Sequence, residues 1–151
     1  MLTTHHKNLA AFIHLSTFSK FFIPLGNFIL PLVLWTMNKD KSEFVDEHGK
    51  QAINFQLSIL LYAIAAVVIA IPIFLYVFAG SFPEELFFNN HNIYLDGNDI
   101  QNASGLIIFG VLTGIIIMTV FIIEIVLVIT AMVKANNGEP YKYPLTINFI
   151  K

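Results

Sequence analysis

The sequence predicts an all-α integral membrane protein. Two long transmembrane helices are expected at about 52–79 and 105–133, preceded by a hairpin of short helices at about 6–20 and 27–38. Two observations carry this. Of 151 residues, 56% are hydrophobic and only 12% charged, with a mean hydropathy of +0.73. A soluble domain has about 25% charged residues, and one of this size could not hide so much apolar surface in a single core. The apolar residues also gather into two runs, each longer than the roughly 20 residues that cross a bilayer.

The first run, Ala52 to Ala79, holds no formal charge, and its strongly polar side chains, Asn54 and Gln56, sit at its start. The second, Gly105 to Val133, contains one charge, Glu124. At 1.5 Å per residue each run is about 40 Å long, so tilt or protruding ends are expected across a ~30 Å hydrocarbon core. The stretch from Leu9 to Met37 is interrupted by Lys20, Pro24, Gly26, Asn27 and Pro31. Proline removes a backbone donor and clashes with the preceding turn, and Pro-Leu-Gly-Asn is turn chemistry. These residues predict two short helices joined at Phe22–Asn27, a shallow or re-entrant hairpin. A single kinked span is the alternative. His14, Ser16, Ser19 and Lys20 interrupt the first apolar stretch, so a cleaved signal peptide is not expected.

Charge sets orientation. Lys39, Lys41 and Lys50 precede the first long run, and Lys134, Lys142 and Lys151 follow the second. The loop between them, 80–104, carries Glu84, Glu85, Asp96 and Asp99 and no lysine or arginine. The positive-inside rule then places segments 39–51 and 134–151 in the cytoplasm and the acidic loop outside. The hairpin makes the N-terminus cytoplasmic as well; a single span would put it outside. The expected organisation is one membrane-embedded helical domain over 1–151, in a plasma membrane.

Local signals fill in the connections. Ser42 can cap a helix whose first turns are acidic, with the chain turning inward near Gly49. Gly138 suits a left-handed helix cap and Pro140 blocks continuation. Trp35, Tyr141 and Tyr143 fit an interfacial aromatic belt. In the acidic loop, Pro83-Glu-Glu can open a short helix, Asp96-Gly97 reads as a turn, and Asn102-Ala-Ser104 matches a glycosylation sequon.

Glu124 is the most informative side chain. A carboxylate at that depth costs several kcal/mol unless it is protonated, paired or facing water. At 100° per residue it shares a face with Gly110, Thr113, Ile117 and Ala131, which points it toward other helices. It is either a proton or cation relay or a helix-holding group bonded to Lys20, His14 or Asn54. In a transport reading, Asn27, Asn54 and Gln56 would line a cytoplasmic mouth. Gly110 and Gly114 form a small-xxx-small pair, matched by Ala63, Ala66 and Ala70 on the other span. Close packing of the two within one molecule is expected, with a homodimer face as the rival. Asp46, Glu47 and His48 point about 100° apart on a helix and cannot grip one ion, so they read as solvated charge.

The absence of cysteine excludes thiol catalysis, iron–sulfur clusters and disulfides. A net charge of −2 without a basic run excludes nucleic acid as a partner. No phosphate loop, nucleophile elbow or Ser/His/Asp set is present, so neither cofactor nor enzymatic activity is expected. The expected partners are the lipid bilayer and another protein or a second copy.

The blocks HLSTFSKFFIPLGNFILPLVLW, FVDEHGKQAINFQLSILLY and VKANNGEPYKYPLTINFIK resemble a bacterial family of small polytopic membrane proteins known as a domain of unknown function. That family is itself similar, more distantly, to Tic-twenty, the chloroplast inner-envelope import component. The resemblance covers about 9–80 and 105–151. It implies a helical protein with four hydrophobic segments and brings no catalytic residues. Its motif positions fall around Pro24–Asn27, Pro31, Asp46–Lys50, Asn54–Gln56 and Gly138–Pro144, while Glu124 lies outside them. The import likeness implies handling of polypeptides at a membrane. The leading expectation is a non-enzymatic accessory subunit of a membrane assembly; the rival is a small oligomeric transporter or channel using Glu124.

Overall fold

A computed structural model describes residues 2–81 and 97–151, with side chains described from Ser104 in the second stretch. Helix α1 spans Thr4–Leu15 and α2 Gly26–Thr36, and two long helices follow, α3 over Glu43–Ser81 and α4 over Gly97–Asn137. Among the described residues there is no strand. Both long helices are apolar and long enough to cross a membrane. The sequence expectations at Pro83–Glu85 and for the Asp96 turn fall outside the described residues, as do the Asp99 and Asn102 side chains.

The N-terminal hairpin forms, with its details set by side chains. Thr3 caps α1 by accepting the His6 N–H. The helix then tightens into a 3₁₀ segment, Ser16–Phe21, where the Ser16 and Thr17 hydroxyls donate to the Ile13 and His14 carbonyls. Such back-bonds compete with regular helix. Lys20 therefore lies on the 3₁₀ segment, not on α1. At the turn, Leu25 takes the left-handed conformation at φ 59°, and Gly26 already opens α2. Gly26 is needed for proximity: a Cβ there would lie 2.6–2.7 Å from Ser19.

Helix α3 begins nine residues before the apolar run. Ser42 is extended, its carbonyl accepts the Asp46 N–H at 3.0 Å, and the helix continues unbroken through Gly49. Gly49 admits the Trp35 ring, which would collide with any Cβ. Trp35 is buried and donates to Asp46 Oδ1 at 2.7 Å, so it belongs to the core and not to an interfacial belt. At its far end α4 closes with a Schellman motif. Gly138 at φ 82° donates to the Ala135 carbonyl and Glu139 to that of Lys134, satisfying the last carbonyls.

Contacts gather the chain into two compact units, Met1–Tyr62 with Ile122–Lys151, and Ala63–Phe121. The first has a genuine core. Ile13, Trp35, Val45, Ala52 and Ile53 form one cluster, Phe55, Val128, Ala131 and Tyr143 a second, and Ala10, Ala11 and Ala135 a third. In the second unit Phe74 meets Phe109 at 6.0 Å between ring centres, but most apolar side chains are exposed. The expected small-residue packing is absent there. A Cβ at Gly110 or Gly114 meets nothing within 4 Å, and Ala63 and Ala66 are exposed. The inward face of α4 is built from Glu124, Val128, Ala131 and Ala135. Gly110, Thr113 and Ile117 do not join it: Gly110 and Ile117 are exposed, and Thr113 is only half-buried.

Overpacking a filled site costs about 1–3 kcal/mol. Gly49→Ala is therefore expected to destabilise the protein by about that amount, and Gly110→Ala to change it little. Thermal unfolding of the detergent-solubilised variants, followed by helical circular dichroism, compares the two.

Candidate functional site

The first unit buries an unusual set of polar side chains. His14, His48, Asn54, Gln56, Ser58, Thr17 and Glu124 are all at most 7% exposed. Buried polar groups need partners, and those in lipid have no water to supply them.

Glu124 accepts from Lys20 Nζ at 2.5 Å. The 3₁₀ segment carries the lysine to α4 across 104 residues of sequence. Asn27, at the start of α2, donates through Nδ2 to Gln56 Oε1 at 2.8 Å, tying the hairpin to α3. Asn54 is committed to the chain's last segment. Its amide nitrogen donates to the Ile150 carbonyl and its oxygen accepts the Ile150 N–H, both at 2.9 Å. The structure thus brings Lys20 together with Glu124 and Asn27 with Gln56. Asn54 and His14 take separate partners.

His14 anchors a chain of three rings. Its Nδ1 lies 2.9 Å from the Tyr143 hydroxyl and its Nε2 2.8 Å from His48 Nδ1. Donation in either direction satisfies both contacts; with Tyr143 O–H donating to His14 Nδ1 and His14 Nε2–H to His48 Nδ1, a proton is left on His48 Nε2, which is buried without a hydrogen bond. Tyr143 also stacks on Phe55, ring centres 4.0 Å apart and 9° from parallel. Both histidines lie outside the two spanning runs, Ala52–Ala79 and Gly105–Val133. Burial, with His48 adding to it, lowers His14 to about 3. Burial lowers His48 to about 4, with the Glu139 backbone acting in the opposite direction. Burial also raises the Tyr143 phenol, helped by Tyr141 and Glu124 nearby. All three rings are therefore neutral in the folded protein near pH 7.

His48 also borders a cleft of about 650 Å³, lined with Lys50, Gln51, Asn54, Tyr141 and Lys142 among others. Of the trio expected to be solvated, only Glu47 is exposed. Asp46 accepts from Trp35 and pairs with Lys50 at 2.6 Å, and His48 is core. Tyr143, expected in an aromatic belt, is core too. Nothing local marks His48 or Tyr143, because their partner His14 lies 34 and 129 residues away. The polar stripe Asn54, Ser58, Tyr62, at intervals of four on an otherwise apolar helix, was the available signal. Among the described residues no group of three or more His, Cys, Asp or Glu could hold a metal ion.

The family model for the magnetosome magnetite crystal formation protein family matches residues 5–150. The chain belongs to that family. It is accordingly a bacterial membrane protein of the magnetosome, and the match covers both units, including every residue of the polar network. No curated protein and no solved structure matches, so the Tic-twenty likeness finds no counterpart in these comparisons.

Two outcomes are expected of this network. Lys20→Met leaves Glu124 buried and unpaired, which costs about 3–5 kcal/mol. Adding Glu124→Gln restores much of that stability, as a double-mutant cycle in detergent measures. For the histidines, the folded values lie below the unfolded value of about 6.5. The unfolded chain therefore takes up protons first, and stability present above pH 6.5 is lost as pH falls toward about 4. A melting temperature flat from pH 8 to 5 would contradict the neutral pair.

Proposed function

We propose that this protein is a non-enzymatic accessory of magnetite crystal formation, seated in the membrane and acting through a protein partner or a second copy. The single observation that carries this is the match to the magnetite crystal formation family over 5–150. The non-enzymatic part is supported by the state of the polar side chains. Lys20, Glu124, His14, Asn27, Asn54 and Gln56 each make a hydrogen bond to another protein group, a pattern of support and not of reactive poise. The need for a partner is supported by the largely exposed apolar faces of α3 and α4, which lipid or another protein must cover. The lysine distribution favours both termini on the cytoplasmic side.

Removing the protein from a magnetite-forming bacterium is expected to change the number or size of magnetite crystals seen by electron microscopy. Restoring the wild-type chain should reverse the change. The purified protein in liposomes is expected to be silent in proton-flux assays. Flux that disappears with Glu124→Gln, at unchanged expression, would favour a small transporter instead. Mass determination of the particle extracted in mild detergent would reveal a heteromeric partner or a homo-oligomer.

A further inference from the structure

The last segment of the chain, rich in lysine and following a helix stop, reads in sequence as a cytoplasmic tail. Its contacts point elsewhere. After Gly138 the chain runs back along α3: Tyr143 stacks on Phe55, and the Tyr62 hydroxyl donates to the Leu145 carbonyl at 2.7 Å. The chain turns at Pro144–Leu145, with Leu145 left-handed at φ 57°, and returns. The Ile147 N–H then donates to Ser58 Oγ at 2.9 Å, and Ile150 pairs with Asn54. Along α3 the contacts fall at Phe55, Tyr62, Ser58 and Asn54 in that order. They describe a hairpin whose tip is at Tyr62.

Tyr62 lies ten residues into the apolar run that starts at Ala52, about 15 Å along the helix. That is half of a ~30 Å hydrocarbon core. Non-helical backbone at that depth survives only where protein satisfies its polar groups. Asn54, Ser58 and Tyr62, on one face of α3, satisfy four of these groups: the Leu145 carbonyl, the Ile147 N–H and both Ile150 backbone groups. Most side chains turned outward near the tip are apolar: Leu145 is 85% exposed, and Ile147 and Phe149 are exposed too, with Asn148 the polar exception. Lys142 and Lys151 flank the hairpin where it would enter and leave the membrane.

We propose that Tyr141–Lys151 is a re-entrant membrane hairpin whose Pro144–Leu145 tip is inserted among lipid acyl chains, and not a solvated tail. This rests on the membrane-spanning placement of α3. The occupant of the exposed Leu145–Ile147–Phe149 face is the acyl region of the leaflet that contains Asn54. The N-terminal hairpin has the same construction. It also turns at a Pro-Leu pair, Pro24–Leu25, with the leucine left-handed, and Phe22 beside it is 88% exposed.

The protein has no cysteine, so single-cysteine variants need no prior substitutions. Leu145→Cys, Ile117→Cys and Lys151→Cys would each carry a nitroxide, in full-length protein reconstituted into phosphatidylcholine vesicles. Relaxation by oxygen, which concentrates in acyl chains, is compared with relaxation by a water-soluble nickel chelate. Position 145 is expected to match 117, with an oxygen-to-nickel ratio several-fold above that at 151. Nickel access at 145 equal to 151, with 117 still shielded, overturns the hairpin. Shielding of 145 from both reagents overturns lipid as the occupant and indicates protein. Nickel access at both 145 and 117 overturns the membrane-spanning placement itself, and the hairpin with it. If Leu145→Cys does not fold, Phe149→Cys serves, with an oxygen-to-nickel ratio between those of 117 and 151 expected and a value equal to 151 counting against the hairpin.

Discussion

A backbone or side-chain polar group in hydrocarbon has no water to bond, and its only partners are other parts of the same protein. In the first unit the irregular pieces of chain find protein partners for much of their polar surface, with the buried Ser19 and Thr146 hydroxyls as exceptions. The 3₁₀ segment is held by the Ser16 and Thr17 hydroxyls, the end of α4 by Gly138, and the final segment by Asn54, Ser58 and Tyr62. The hydrophobic effect does not drive helices together in lipid, whose tails are as apolar as leucine, so association rests on close packing and hydrogen bonds between helices. The paired polar groups therefore specify how the N-terminal hairpin, α3, α4 and the last segment meet.

The network divides into two kinds of interaction. Lys20–Glu124 is a charged pair with one partner almost fully buried, and it is sensitive to loss of either member. The Tyr143–His14–His48 chain is neutral, and burial keeps it so. Neutral hydrogen-bonded rings tolerate a low dielectric far better than unpaired charge does. The three rings connect the N-terminal hairpin, the first turns of α3 and the last segment. The hairpin meets α4 through the Lys20–Glu124 pair, the Lys7 ammonium donating to the Asn137 carbonyl, and the Ala10, Ala11 and Ala135 cluster.

The second unit is built differently. Its described helices are almost purely apolar and largely exposed, and they make few specific contacts beyond the Phe74–Phe109 pair and Gly105 beside Val77. Among the described residues, specific structure is thus concentrated in the unit formed by 1–62 and 122–151. A small-residue motif such as Gly110–Gly114 permits close approach without supplying a neighbour. The sequence shows that permission, and the structure shows it unused within this chain.

The sequence by itself determined the solvent and the long elements. Two charge-poor apolar runs specify spanning helices, because the cost of charge in lipid and the length of a helical residue are fixed quantities. Pro24 placed the first turn and Gly138 the last cap, since each acts on the backbone within a few residues. Tertiary structure decided the partners. Glu124 was legible as a group needing a counterpart, but Lys20, His14 and Asn54 were equal on sequence grounds until the 3₁₀ segment brought the lysine to it. His48 reads as solvated charge at a helix start and Tyr143 as an interfacial aromatic; only tertiary structure buries them against His14. The last segment likewise reads as a tail. The Leu145, Ile147 and Ile150 backbone groups bond side chains from α3, about 80 to 100 residues earlier in the chain, and nothing in the segment's own composition announces that.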